Sequence, residues 1–356
     1  MGLEDILRER IAAHGPISIA DYMAVALGDS QYGYYMRKDP FGTQGDFITS
    51  PEISQIFGEM IGIWCAECWL QLGRPEMDVI ELGPGRGTLM KDWLRATRHI
   101  PQFHDRITVH LMETSPALRA IQQETLASNH SRLYWHFSLP DTNRPLLVYS
   151  NEFFDALPIH QYITQNGAWY ERLVDWHNGR LCFTIAEDAV SLPAYPAMED
   201  GVIVEQCPLA KEIMQELSGR VAAYDGAILS IDYGYTRPEN GALPVGDTLQ
   251  AVYKHTYHDV LSRSGEADIT AHVDFSALAE NAATAGARAA PVISQRDFLL
   301  RMGAEMRVQQ LCRNLVPEQK QRIEDGFQRL VDPQGMGSLF KVLAVTSPQL
   351  AAPVFE

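Results

Sequence analysis

Apolar residues recur along the chain with two different periods, and the change from one to the other divides the sequence. They stand at positions 53, 56, 57, 60, 61, 64, 65, 68 and 72. That spacing is one buried helix face, so it predicts a helix that begins near Ser50-Pro51 and ends at Gly73. Leu3–Leu27 is also helical in pattern, with a break at Gly15-Pro16. The first 75 residues are therefore a predicted helical segment.

From residue 76 onward, short apolar runs alternate with helical stretches. The predicted strands are 79–82, 107–113, 133–137, 145–150, 227–231, 287–293 and 340–346, and the predicted helices are 88–98, 116–127, 209–223, 276–286 and 295–330. Strands that alternate with helices form βαβ units and a parallel sheet. The predicted fold class is therefore α/β, with a mostly parallel sheet.

One stretch interrupts this alternation. Residues 159–187 alternate apolar and polar positions around Asn166-Gly167 and Asn178-Gly179, which are strong hairpin turns. We interpret them as an inserted antiparallel element. The predicted division is 1–75 for a helical segment that serves as a lid, 76–158 for the first part of the sheet domain, 159–207 for an inserted β-rich substrate element, and 208–356 for the remainder of the sheet domain with a helical insertion.

Composition and charge exclude several classes of function. The 356 residues include 29 Lys and Arg against 45 Asp and Glu, a net charge of −16, which argues against nucleic acid as the main partner. No apolar run approaches the roughly 20 residues of a membrane span, so we expect no membrane insertion. Five cysteines and an acidic N-terminus without transit or signal features predict a cytoplasmic protein. The histidines form no ligand pair and Cys65-x-x-Cys68 lies in a predicted helix, so we expect no metal.

A glycine-rich loop is the most informative local feature. Glu81-Leu-Gly-Pro-Gly-Arg-Gly87 follows a strand and precedes a helix, which is where α/β sheets bind ligands. The dinucleotide pattern G-x-G-x-x-G needs glycine at position 88, where Thr88 stands. G-x-G-x-G after an apolar strand with an acid resembles the first motif of class I S-adenosylmethionine (SAM) methyltransferases. Another nucleotide, or a tight turn without a ligand, stays open at this point.

Two further strand ends carry candidate chemistry. Glu113 ends the next predicted strand, where an acid can accept hydrogen bonds from a ribose; a solvated carboxylate is the alternative.

The fourth predicted strand ends in Asn151-Glu152-Phe153-Phe154-Asp155. Methyl transfer depends on how the reactants are positioned. Hydrogen-bond acceptors that orient the lone pair of a substrate nitrogen therefore suit this corner, as do aromatic side chains that enclose it. A guanidinium stays protonated and needs carboxylates such as Glu152 and Asp155. A capping Asn with a buried salt bridge is the alternative.

Several unusual blocks in a fixed order extend over nearly the whole chain. They resemble the MidA-type methyltransferases, which include the mitochondrial complex I assembly-factor methyltransferase and bacterial relatives. The blocks are Gly33-Tyr34-Tyr35, 39–42, 45–53, 81–87, 151–158, 231–234, 247–249, 268–275 and 339–343.

This resemblance implies a class I SAM-dependent fold, Rossmann-like with a seven-stranded sheet, and SAM as cofactor. It implies that three groups of residues form the site. The cofactor group is Gly45, Asp46, Thr49, Ser50, Glu81, Gly83, Gly85, Gly87 and Glu113. The catalytic group is Asn151, Glu152 and Asp155, and the substrate group is Phe153, Phe154, Asp232, Tyr233 and His272. From the residues alone, Asp46 and Thr49 could equally cap a helix, and the polar break at His272 and Asp274 could be an Asx turn with a helix cap.

The sequence therefore predicts a SAM-dependent protein N-methyltransferase. The resemblance implies symmetric dimethylation of arginine on a complex I-type NADH dehydrogenase subunit, and the acidic charge suits a basic protein segment. A small-molecule methyltransferase and a non-catalytic assembly chaperone that keeps the SAM-binding fold are the alternatives. The glycine spacing disfavours a dehydrogenase. A homodimer is left open.

Overall fold

The structure, a computed structural model, describes residues 2–37, 49–192, 195, 199–237 and 246–355. The first elements are α1 (Leu3–His14), β1 (Ile17–Ser18), α2 (Ile19–Gly28), α3 (Tyr34–Arg37), α4 (Ser50–Ile53) and α5 (Gln55–Gln71). The helix predicted from Ser50 is thus divided in two. Ser54 has extended backbone and its hydroxyl accepts the N–H of Ile56, so it caps α5 and separates it from α4.

The predicted alternation of strands and helices follows. Its elements are β2 (Met77–Leu82), α6 (Thr88–Thr97), α7 (Phe103–Arg106), β3 (Ile107–Met112), α8 (Pro116–Leu126), β4 (Leu133–His136) and β5 (Leu146–Asn151). Four strands and the long helices between them confirm the βαβ prediction for this part of the chain.

The inserted antiparallel element is also confirmed. Its strands are β6 (His160–Gln165), β7 (Ala168–His177), β8 (Arg180–Val190) and β9 (Ile203–Gln206), and β1 pairs with β7. Both predicted hairpin turns have positive φ at their two central residues, Asn166-Gly167 and Asn178-Gly179, as a type I′ turn requires.

The last part of the chain returns to the main sheet. Its elements are α9 (Pro208–Tyr224), β10 (Gly226–Tyr235), β11 (Gln250–Tyr253), β12 (Thr256–His258), β13 (Asp268–Thr270), β14 (Val273–Asp274), α10 (Phe275–Thr284), β15 (Arg288–Ala289), β16 (Ile293–Ser294), α11 (Gln295–Arg301), α12 (Ala304–Cys312), α13 (Pro317–Val331), α14 (Met336–Leu339) and β17 (Phe340–Thr346). The strand predicted at 287–293 is two short strands, because Pro291 between them has no N–H to donate. The small β12–β11–β13 sheet was not predicted.

The central sheet has the strand order β15-β17-β10-β5-β2-β3-β4. The five strands from β10 to β4 run parallel, whereas β17 is antiparallel to β10. This confirms the seven-stranded, mostly parallel Rossmann-like sheet; the short β14 and β16 also pair with it. The carboxyl ends of β2, β3, β5 and β10 share one edge, since Leu82 pairs with both Met112 and Ser150, and Ile231 pairs with Asn151. The glycine loop and the Asn151–Asp155 corner therefore lie side by side.

Three hydrophobic cores hold these elements together. The first includes Trp64 of α5 and Trp93 of α6, packed against the sheet, and the second includes Met214 of α9 and Phe275 of α10. The third joins the N-terminal helices to the inserted strands and residues 249–271, with Tyr22 among its members. The division of the chain after residues 75, 158 and 207 stays a prediction. Among the described helices, none combines the length and apolar character of a membrane span.

Gly226 at the start of β10 provides a test of the strand packing. It has φ of 137°, and a Cβ there would lie 1.9 Å from the carbonyl oxygen of Leu146 on β5. We expect Gly226→Ala to lower the free energy of unfolding by about 3 kcal/mol or more, because backbone must move. Gly219→Ala in α9 is the control, since a Cβ there meets nothing within 4 Å and alanine favours the helix. Equal denaturant midpoints for the two variants would contradict this packing.

Candidate functional site

The loop between β2 and α6 has the backbone that its glycines predict. Gly83, Gly85 and Gly87 have φ of 61°, 54° and 80°, the left-handed region that favours glycine. A Cβ on Gly83 would lie 3.1 Å from Cδ2 of Phe153, so the loop passes close to the corner after β5. Gly87 is the N-cap residue of α6. The loop therefore brings bare backbone to the carboxyl edge of the sheet.

Glu113 follows β3 at the same edge. Its side chain is buried, and its two carboxylate oxygens accept the Ser115 N–H at 2.8 Å and the Gln122 amide at 3.0 Å. Burial raises the pKa of Glu113, and these donors counteract the rise. A carboxylate has about four acceptor positions, so Glu113 keeps capacity for the hydroxyl groups of a ribose.

Two adjoining cavities open at this edge. The larger, of about 300 Å³, is lined by Gly83, Gly85 and Glu113, by the corner residues Glu152 and Asp155, and by side chains of α2 and α3. The smaller, of about 50 Å³, is lined by residues of the glycine loop, including Pro84 and Arg86, and by Asn151. Both cavities share four lining residues, Thr49, Gly83, Gly85 and Glu152. One ligand could therefore extend from one cavity into the other past the glycine loop.

Two buried oxygens without a hydrogen-bond donor belong to residues at the smaller cavity. Oε2 of Glu81 and Oδ1 of Asn151 accept no hydrogen bond from the described residues, and Glu81 and Asn151 are among the residues that line this cavity. Burial raises the pKa of Glu81 to about 8. Unpaired buried acceptors are costly, so a ligand with a donor group such as an ammonium suits this cavity. Together with the bare glycine loop and Glu113, these acceptors fit the amino-acid and nucleoside ends of SAM.

The corner after β5 has an unusual backbone. Glu152 has φ of 52°, and its N–H donates to the carbonyl oxygen of Ile231 at 3.0 Å. Its Oε1 accepts the side-chain amide of Asn151 at 3.0 Å and the N–H of Ser50 at 3.4 Å. Burial, with the nearby charge of Asp155, raises the pKa of Glu152 to about 7. Glu152 is among the residues that line both cavities.

Asp232, at the end of β10, holds the corner in place. Its Oδ2 accepts the backbone N–H groups of Phe153, Phe154 and Asp155 at 3.1, 3.0 and 3.3 Å, and its Oδ1 accepts that of Tyr233 at 2.9 Å. Burial and the charges of Asp155 and Glu152 raise the pKa of Asp232, and the N–H groups of Asp155 and Tyr233 counteract this rise. Asp232 therefore holds the backbone of the corner through one oxygen and its own strand end, at Tyr233, through the other.

The corner is acidic and has no internal counter-ion among the described residues. Asp155 and Asp232 are fully buried and Glu152 is partly buried. None of the ion pairs formed within the described ranges includes any of these three. Buried carboxylates without a cation are unfavourable, so the cavity is suited to a cationic ligand.

The other predicted residues lie at different distances from the cavity. Phe153, Thr49 and Tyr233 line it. The Phe154 ring packs into the second core. Ser50 is buried, and its hydroxyl donates a hydrogen bond to Oε1 of Gln295. The imidazole of His272 lies edge-on against the Tyr233 ring, with centroids 5.6 Å apart, and is not among the lining residues. Gly45 and Asp46 lie outside the described residues.

Sequence reasoning did not assign a role to several residues of this site. Tyr35 donates its hydroxyl to Asp268 at 2.9 Å, and both line the larger cavity. Both stand in blocks that carried the family resemblance, which was the available signal. Gln122 had none, because a lone Gln in an amphipathic helix is ordinary. No group of three or more His, Cys, Asp or Glu side chains in the described ranges is arranged to hold a metal ion.

Comparisons with known proteins agree on one family. The Methyltransf_28 model of S-adenosyl-L-methionine-dependent methyltransferases matches residues 60–293. The mitochondrial protein arginine methyltransferase NDUFAF7 of Mus musculus is 38% identical over 96% of this chain and 84% of its own, and that of Danio rerio is 36% identical over 95% and 85%. A COG1565 superfamily member from Burkholderia thailandensis, bound to S-adenosyl-homocysteine, superposes with a TM-score of 0.87 at 28% identity, over 99% of this chain and 93% of its own.

Gly85→Val tests the position of the cofactor site. A branched side chain at φ of 54° strains the loop at a residue that lines both cavities, so we expect calorimetric SAM binding to be lost. Gly73→Val is the control: Gly73 also has positive φ, but a Cβ there meets nothing within 4 Å. It should lower stability and leave the SAM dissociation constant unchanged. Full SAM affinity in a folded Gly85→Val variant would remove the site from this loop.

Proposed function

The chain belongs to the Methyltransf_28 family of SAM-dependent methyltransferases, and on that premise we propose that it methylates arginine in a protein substrate. The observation that carries the proposal is the set of three carboxyl groups, from Glu152, Asp155 and Asp232, with no cation paired to them among the described residues. A guanidinium is a planar cation with five donors. It would supply the missing charge and use the free carboxylate positions.

In this proposal each residue of the corner has its own role. Glu152 and Asp155 hold the guanidinium, and Asn151 orients Glu152 through its amide. SAM, when bound, supplies the electrophilic methyl group on its sulfonium. Because a guanidinium nitrogen must lose a proton during transfer, a carboxylate beside it has to accept that proton. Burial raises the pKa of Glu152 to about 7, which makes Glu152 the suitable acceptor near neutral pH.

The cofactor residues follow from the two cavities. We propose that Gly83 and Gly85 contact SAM through bare backbone, that Glu113 accepts the ribose hydroxyls, and that Glu81 accepts the ammonium group. Thr49 and Ser50 would close the site from the N-terminal side, and Gly87 would set the start of α6. Gly45 and Asp46 keep their proposed cofactor role from the resemblance alone.

Phe153 and Tyr233 would form the walls around the acceptor, with Phe154 and His272 supporting them from behind. Aromatic walls exclude water and tolerate a cation. The net charge of −16 favours a basic protein segment as substrate. By resemblance, the proposed substrate is a subunit of a complex I-type NADH dehydrogenase, and the proposed product is symmetric dimethylarginine.

A labelling experiment tests the proposal. The purified protein is incubated with methyl-labelled SAM and an extract of cells that lack the chain, and labelled proteins are hydrolysed to amino acids. Label in symmetric dimethylarginine supports the proposal. Label confined to small molecules would establish the small-molecule alternative. Saturable SAM binding with no transfer to any fraction would favour the assembly chaperone.

Glu152→Gln tests the catalytic assignment. The amide keeps the size of the side chain but cannot accept a proton, so we expect normal SAM binding and a fall in kcat of about 100-fold, the scale of a lost general base. In the native protein, kcat/KM should rise as the pH passes about 7, where Glu152 ionises, and this limb should be absent in the variant.

Glu171→Gln is the matched control. Glu171 lies on β7, where it pairs with His160 at 2.6 Å, and lines neither cavity. It should keep both the rate and its pH dependence. Native activity and an unchanged pH profile in Glu152→Gln would end the proposed role of Glu152.

A further inference from the structure

The side chain of Gln122 connects three strand ends around the larger cavity. Its Nε2 donates to the carbonyl oxygen of Gly85 at 2.7 Å and to Oε2 of Glu113 at 3.0 Å. Its Oε1 accepts the indole N–H of Trp135 on β4 at 3.0 Å. Gln122 itself is completely buried. One amide therefore joins the loop after β2, the end of β3 and strand β4.

The partners fix which way the amide points. An indole N–H is a donor only, so it must meet the oxygen of Gln122. The nitrogen is then forced towards Gly85 and Glu113, which both present acceptors. Both N–H groups and the oxygen of the amide are in use. No other side chain of this size has two donors and an acceptor in this geometry.

Helix α8, which carries Gln122, lies tightly against the glycine loop. A Cβ on Gly87 would lie 3.5 Å from Leu126 and 3.6 Å from the Cα of Gln122. Ser115 caps α8 and donates its own N–H to the other oxygen of Glu113. Glu113 is thus held from both sides by one helix, at its start through Ser115 and in its middle through Gln122.

We propose that Gln122 is a positioning residue for the cofactor, which orients the Glu113 carboxylate towards the ribose and fixes the glycine loop relative to it. The inference rests on the proposed cofactor roles of Glu113 and Gly85. Gln122 lines neither cavity, so it acts through its partners and not by contact. The amide group of Gln122 therefore positions both the Glu113 carboxylate and the glycine loop.

A double-mutant cycle tests this inference by binding alone. The dissociation constant for SAM is measured by calorimetry in the native protein, Gln122→Met, Glu113→Gln and the double variant. Each single change should weaken binding about tenfold, the scale of one lost hydrogen bond to a charged group. Because Gln122 acts on the ribose contact through Glu113, the part of its effect that passes through Glu113 is already lost in Glu113→Gln. The double variant should therefore bind more tightly than the product of the two single losses predicts.

Gln161→Met is the matched control. Gln161 is equally buried and has three side-chain partners, Glu205, Asp247 and Arg172, at 2.7, 2.7 and 2.9 Å, but it lies in the inserted sheet. It should lower the unfolding midpoint without changing SAM affinity. A loss of affinity in Gln161→Met as large as in Gln122→Met would show that lost stability alone explains the effect.

The outcomes separate the inference from its premise. Native SAM affinity in folded Gln122→Met, or losses that multiply in the double variant, would overturn the role of Gln122 and leave Glu113 in place. Native affinity in Glu113→Gln would overturn the ribose assignment, and the inference with it. If Gln122→Met fails to fold, Gln122→Glu takes its place. The SAM dissociation constant of Gln122→Glu, divided by that of the native protein, should increase as the pH rises, because the new carboxylate then faces that of Glu113. A ratio that does not change with pH would overturn the inference.

Discussion

The candidate site depends on one carboxylate that accepts four backbone N–H groups. Asp232 at the end of β10 bonds to Phe153, Phe154 and Asp155 in the neighbouring loop and to Tyr233 beside it. Three consecutive N–H groups converge on one oxygen only if the chain turns sharply. That turn requires the left-handed backbone of Glu152, which a non-glycine residue adopts at a cost. Asp232 offsets this cost, and the pairing of β5 with β10 places the two ends together.

The same arrangement concentrates negative charge. A carboxylate that holds the corner from behind adds its charge to those of Glu152 and Asp155 in front, and burial raises the pKa of each. A protein selected only for stability would replace such a cluster with apolar residues. Its presence beside a cavity therefore suits the proposed recognition of a cationic substrate, which would offset the lost stability. Asp232 therefore accounts both for part of the negative charge of the corner and for the strained backbone that it holds in place.

Much of the fold and part of the site could be predicted from local patterns. The alternation of strands and helices, the two Asn-Gly hairpins and the glycine spacing after β2 are all short-range signals, and the structure confirms them. The pairing of Asp232 with the corner spans 77 to 79 residues along the chain, and no periodicity records it. Gln122 carried no signal either, because its meaning depends on three partners from three strand ends.

The cavity lies where two separately packed cores meet. Its floor, with the glycine loop, Glu113 and the corner, belongs to the central sheet, whereas the part of its lining from α2 belongs to the core that includes the inserted strands. α2 contacts β13, and Ala271 just after β13 donates its N–H to the carbonyl oxygen of Asp155. Changes in the floor therefore act directly on the glycine loop and the charge of the corner. Changes in the α2 core act on the shape of the space above them, so the shape of the cavity can vary while its floor stays the same.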